Sequence, residues 1–127
     1  MAPFFGIFIL HGPPPNHPDS FFYRGGPENR QFPYGFIIVT AGHYVSGSID
    51  WDPTAPSVTV WSGTTIAQLD DKIQCFSGQG SRINDHLVPY QRLGPNSNTV
   101  VKTLLDKCGI HPNKPVTIAF GWGSPDI

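Results

Sequence analysis

Gly94-Pro-Asn-Ser-Asn-Thr-Val-Val-Lys-Thr-Leu-Leu-Asp-Lys-Cys-Gly109 carries the clearest local code in the chain. Asn96, Ser97 or Asn98 can cap a helix, because a short side-chain oxygen accepts a bond from a first-turn N–H. Val101, Leu104, Leu105 and Cys108 then recur at helical spacing and make one apolar stripe. Lys107 suits the negative end of the helix dipole, and Gly109 offers a left-handed stop. Such a helix buries its stripe only against other elements, so the rest of the chain must supply a surface.

Upstream, a second helix is predicted from Thr65, whose pairing with Gln68 three residues on fits a capping box. Ile66, Leu69, Ile73 and Phe76 follow at helical spacing, and Gly78 and Gly80 are read as its close. Further back the code is that of strands. Phe4 to Leu10 is short, aromatic and β-branched, and His11 to Asp19 is a proline-rich surface loop. Ser20 to Arg24 resumes as a strand able to pair with the first in a long-looped hairpin, and Gly25-Gly26-Pro27 is read as its end. Gly35 to Tyr44 is a third strand. Ser48 to Trp51 is a short extended piece, and Ser57 to Trp61 alternates like a half-buried strand. Asp85 to Leu93 reads as extended, with Pro89 making it an edge or a loop. Val116 to Phe120 is a last apolar run before a loop-like tail, Gly121 to Ile127. The expected fold is α+β: a small, mainly antiparallel β-sheet packed with two α-helices, in a single domain over residues 1–127.

Composition agrees with many turns and few helices. The 127 residues include 14 glycines and 14 prolines, which exclude a helical bundle. Charged residues are 13% and the net charge is −1, so no basic field exists to hold nucleic acid or an anionic membrane. No apolar run reaches the roughly 18 residues of a membrane span. The opening Met1 to Leu10 lacks a basic residue and a small-residue cleavage site, so it reads as a strand rather than a signal peptide. The expectation is a cytoplasmic protein or one delivered by a dedicated secretion route. Cys75 and Cys108 fall on the two helices and read first as buried thiols, with a bridge between the helices as the other reading.

Few residues carry a chemical signal. Gly78-Gln-Gly80 follows a helix rather than opening one, so it is no phosphate loop. His11 and His17 share the proline-rich loop with Asp19, and ordinary loop histidines explain them better than a metal site. No metal or other cofactor is expected. Asp85-His86 could join a site, but a turn before an edge strand explains it equally well, and Trp51 and Trp61 read as core or edge residues before a carbohydrate platform. The remaining candidate is Ser97. At a helix N-terminus the free N–H groups and the dipole favour negative charge, which activates a nucleophile and steadies an oxyanion. Capping alone explains the same residues.

Asn96-Ser97-Asn98 opening an amphipathic helix after several strands resembles the Asn-Cys-Asn motif of circularly permuted papain-like domains. The NlpC/P60-related, lecithin-retinol-acyltransferase-like and PPPDE groups share that layout. Arg24-Gly-Gly-Pro27 with Asn96-Ser-Asn98 and Gly121-Trp-Gly123 is also similar to combinations in uncharacterised bacterial proteins, some resembling secreted effectors or toxins. The resemblance implies an amide or ester hydrolase in which Ser97 attacks, His43 or His11 is the base, and Asn96, Asn98 and Arg24 bind an unknown peptide or ester substrate. Two positions depart from the pattern. Ser97 stands where the family has Cys, and the first strand has Phe5, Gly6 and Ile7 where it has His. A Ser hydroxyl is nearly inert without a base. The same resemblance therefore also accommodates an inactive papain-like domain that binds a partner or self-associates.

Overall fold

The computed structural model describes residues 6–9, 21–48, 60–111 and 122–127, the first four by their backbone. The fold is α+β: an antiparallel sheet and two helices. Strands β1 (Gly6–Ile9), β2 (Phe21–Pro27) and β3 (Ile37–His43) form a meander in the order β1-β2-β3. The first pair runs from Gly6 opposite Arg24 to Ile9 opposite Phe21, and the second from Phe21 opposite His43 to Pro27 opposite Ile37. Helices α1 (Ile66–Asp85) and α2 (Ser97–Lys107) pack on one face of this sheet.

Strand β2 continues through Gly25-Gly26-Pro27, where the sequence suggested a stop. The reason lies in the helix above it. A Cβ on Gly25 would stand 2.5 Å from the Val100 side chain, so the missing side chain lets α2 approach the strand. Pro27 lies beyond the described pairing with β1, which ends at Arg24, so its missing N–H breaks no described ladder bond on that side. Tyr23, on the same face as Gly25, sends its hydroxyl to the Ile73 carbonyl (3.1 Å) and to the Ser77 hydroxyl (2.6 Å). Phe22, pointing the other way, is buried as well.

Helix α1 starts at the expected capping box on Thr65 and Gln68. It does not close at Gly78 and Gly80 but runs to Asp85 with His86 as its C-cap. Each glycine costs a helix about 1 kcal/mol relative to Ala. Gly80 nonetheless has a packing role: it is buried, and a Cβ there would meet Val39 Cγ1 at 3.0 Å. One turn on, the Asn84 side chain accepts from Val39 N–H (2.7 Å) and donates to the Val39 carbonyl (3.1 Å). An amide side chain thus stands in for a neighbouring strand on the outer edge of β3. Residues 85–93, read as extended, are the end of α1, a turn, and a single bridge between Phe36 and Pro89. Val88 and Tyr90 carry that bridge on, the Val88 carbonyl accepting from Ile37 N–H and Tyr90 N–H donating to Gly35.

Helix α2 is the most buried element among the described residues. Eight of its residues are buried, including Val100, Val101, Leu104 and Leu105, and Gly109 ends it with φ +81°. Cys75 of α1 and Cys108 at the C-cap of α2 form a disulfide, which corrects the first reading of two free thiols. Two helices that cross with their cysteine Cα atoms 5.8 Å apart lie at bonding range, a property of the crossing that no local spacing records. Lys72, one turn earlier on α1, donates to the Cys108 carbonyl and lies 5.7 Å from the Trp61 ring. Trp61 is half-buried against the core, and residues 60–61 are not strand. Residues 57–59, Trp51 and 116–120 lie outside the described residues. Among the described residues no helix is long and apolar enough to cross a membrane.

Candidate functional site at the start of helix α2

The first turn of α2 is wholly inside the protein. Asn96, Ser97, Asn98 and Thr99 are 2, 7, 2 and 0% exposed. Asn96 is the cap. Its Oδ1 accepts from the backbone N–H of Asn98 (3.0 Å) and of Thr99 (3.3 Å), and its Nδ2 donates to the Arg92 carbonyl (2.8 Å). Thr99 Oγ1 accepts from Asn96 N–H at 3.0 Å, completing a reciprocal box. Two of the amides that could steady an oxyanion are therefore engaged by the chain itself. The Asn-Ser-Asn motif works here as a helix start, with Asn96 holding the backbone and Ser97 packed behind it.

The contacts of the helices fix where the proposed base lies. Tyr23 meets Ile73 and Ser77, and Val39 meets Gly80 and Asn84, so α1 runs from the Tyr23 level toward the Val39 level. Val100 of α2 touches Gly25 beside Val39, and Cys108 is bonded back to Cys75, so α2 runs the opposite way. Ser97 thus stands at the Pro27–Ile37 end of the sheet. His43 stands at the other end, about 13 Å along β3 from Val39 at roughly 3.3 Å per residue. It is exposed and lies against Phe21, with ring centroids 4.6 Å apart. The fold does not bring His43 to Ser97. His11 lies outside the described residues.

Arg24 is also directed elsewhere. Tyr23 and Gly25 face the helices, so Arg24 between them points to the opposite face of the sheet. Its guanidinium lies over Gly26, where an added Cβ would come 3.0 Å from Nη2. Asn98 and Arg24, paired above as substrate-binding residues, are thus on opposite sides of β2.

What the topology does gather at the Ser97 end includes His86, which the sequence offered as a residue that could join a site, together with neighbours that the sequence did not single out. The C-cap of α1 brings His86 there, and a groove of about 570 Å³ is lined by Arg82, His86, Leu87, Pro95, Asp126 and Ile127 among others. His86 Nδ1 stands 2.6 Å from the Arg82 carbonyl. At the same end of the sheet large apolar side chains stand in water: Phe32 is 84% exposed, Leu93 71% and Leu87, which lines the groove, 58%. Tyr34 joins Phe32 to Tyr90 edge to face, with centroids 6.1 and 5.5 Å apart. The loop 28–36 and the turn 91–94 place them, through Asn29 N–H to the Tyr34 carbonyl and Gly94 N–H to the Gln91 carbonyl. Single hydrophobic residues in these turns looked unremarkable, and only the bridge at Phe36 and Pro89 brings the two segments to one end of the sheet.

A polar cluster lies farther along α2. Lys102 Nζ bonds Asp106 (2.9 Å) and Asp126 (3.0 Å), and His111 Nδ1 lies 3.1 Å from Asp106. Burial opposes the charge on Asp106, but bonds from Lys102 and His111 outweigh it and hold the carboxyl below its ordinary value. The bond to Asp106, then that to Asp126, raises Lys102. Among the described residues no cluster of three or more His, Cys, Asp or Glu could hold a metal ion. No family model, no curated protein and no solved structure matches the chain.

Proposed function

We propose that this chain is a non-catalytic domain of papain-like layout that works by association, with its own kind or with a protein partner, through the apolar end of the sheet. One observation carries the reading: at that end the polar helix start is inside and Phe32, Leu87 and Leu93 are outside. An enzyme site needs the reverse, an accessible nucleophile and a base in reach. Large exposed apolar patches mark contact surfaces, and these three side chains stand at one end of the sheet. A net charge of −1 leaves little repulsion between copies. The disulfide supports action in an oxidising compartment, reached by a secretion route, because such bonds are rare where thiols are kept reduced.

Light scattering on a sizing column tests this. The unaltered chain self-associates at high micromolar concentration, and Phe32→Ser with Leu93→Ser returns it to a monomer with an unchanged fold. If the chain is monomeric, the double substitution should instead weaken capture of its partner. The competing hydrolase reading draws on His86 and Pro95, two residues before Ser97, sharing a groove. Ester or amide hydrolysis that disappears on both Ser97→Ala and His86→Ala would replace our reading with that one.

A further inference from the structure

Residues 124–127 lie across the two helices, and their contacts are more specific than surface packing needs. Asp126 Oδ1 bonds Lys102 at 3.0 Å. Ile127 N–H donates to Thr103 Oγ1 at 3.1 Å, and Thr103 is 0% exposed. The Ile127 carbonyl accepts from Arg82 Nη2, and the Ile127 side chain packs against the core. Arg82 and Lys102 are themselves held. Arg82 Nε donates to Gln79 Oε1 at 2.7 Å, and Lys102 donates to Asp106 at 2.9 Å. Two successive residues are thus read at both backbone groups of the second and at both side chains, by groups on two different helices. The groove continues past them along His86, Leu87 and Pro95.

We infer that Arg82, Lys102 and Thr103 form a peptide-binding seat whose ligand class is an extended peptide with an acidic residue followed directly by a branched aliphatic one. The chain's own Asp126-Ile127 fills it at rest. Thr103 and Arg82 take the main chain, which any residue offers. Lys102 selects the acid, and the core surface under Ile127 selects the aliphatic side chain. Main-chain bonds supply affinity and the side-chain positions specificity, as in other extended-peptide sites. The chain's own segment is covalently attached, so a free peptide displaces it poorly until the segment is weakened. The seat itself, Arg82, Lys102 and Thr103, shares no residue with Phe32, Leu87 and Leu93, so the result below neither needs nor decides the reading of the preceding subsection.

The probe is a fluorescein-labelled, C-terminally amidated peptide Trp-Gly-Ser-Pro-Asp-Ile, followed by polarisation. The full chain with Asp126→Ala and Ile127→Ala should bind it saturably, at a concentration at least about tenfold lower than the unaltered chain requires. Adding Lys102→Ala and Arg82→Ala should weaken binding at least about tenfold again, and the peptide with Asp replaced by Ala should bind correspondingly worse. A folded double variant that ignores the peptide, or binds it and its Asp→Ala form alike, overturns the seat. Should the double variant fail to fold, nuclear magnetic resonance of the unaltered chain at millimolar peptide decides. Shifts centred on Arg82, Lys102 and Thr103 uphold the seat, and their absence overturns it.

Discussion

Gly25 shows how much one absent side chain can organise. Its Cα lies under Val100, and a Cβ would stand 2.5 to 2.8 Å from three atoms of that valine. Gly25→Ala must therefore push α2 off β2, and overpacking of this kind costs about 1–3 kcal/mol. Urea unfolding should show that loss. Val100→Ala in the same chain should recover part of it, so that the double variant is less destabilised than the sum of the singles. Asn84 is the second such residue. Its amide satisfies both the N–H and the carbonyl of Val39 on the outer edge of β3. Asn84→Ala leaves both groups without that partner, and a stability loss of about 1–3 kcal/mol, read as a lower urea midpoint, is expected. An unchanged midpoint would show that water replaces the amide at no cost.

The disulfide belongs to the scale of elements, because it ties the middle of α1 to the end of α2 across 33 residues of chain. In the loop-closure picture a bridge of that span contributes about 3–4 kcal/mol by restricting the unfolded chain. Cys75→Ser with Cys108→Ser should keep the circular-dichroism spectrum of the fold and lower the unfolding free energy from urea titration by that order. The spectrum should survive because α1 and α2 also share an apolar core containing Phe76, Leu104 and Leu105, and because Lys72 still holds the Cys108 position through its carbonyl. A loss below about 1 kcal/mol would mean that the reduced chain keeps the helices together unaided. Among the helix caps, that of α2 is the more consequential, since Asn96 is buried and its bonds have no water to fall back on.

At the scale of the whole molecule, Lys102 bonds Asp106 within α2 and joins α2 to the segment 122–127 through Asp126. Its pH dependence has a defined sign. Asp106 has a lowered value in the fold, so its contribution is complete above the ordinary Asp value near 4 and fades as pH falls through the lower, folded value. Lys102 is raised, so its contribution is complete below the ordinary Lys value near 10.4 and is lost as pH rises through the higher, folded value. Stability from this cluster should thus be flat between about pH 5 and 9 and decline on both sides. Thermal unfolding across that range, against Lys102→Met, checks it: the variant should lie closer to the unaltered chain at pH 3 than at pH 7.

The helices were legible from their caps. Thr65 with Gln68 and Asn96 with Gly109 act within four residues or at a chain reversal, and local chemistry is what a sequence displays. The strand centres around Tyr23 and Ile38 were legible too, from short apolar runs. What Gly25, Gly26 and Gly80 do was not, because a glycine that ends an element and one that admits a neighbour look alike until the neighbour is in place. The same holds for Cys75 and Cys108, for the two ends of the sheet that separate Ser97 from His43, and for the groove that gathers Arg82, His86 and Ile127. Local propensity specifies the capped helix starts and the strand centres. Which side chains share a space is set by the antiparallel run of α1 and α2 over the sheet, a long-range packing choice made by burial of the common core.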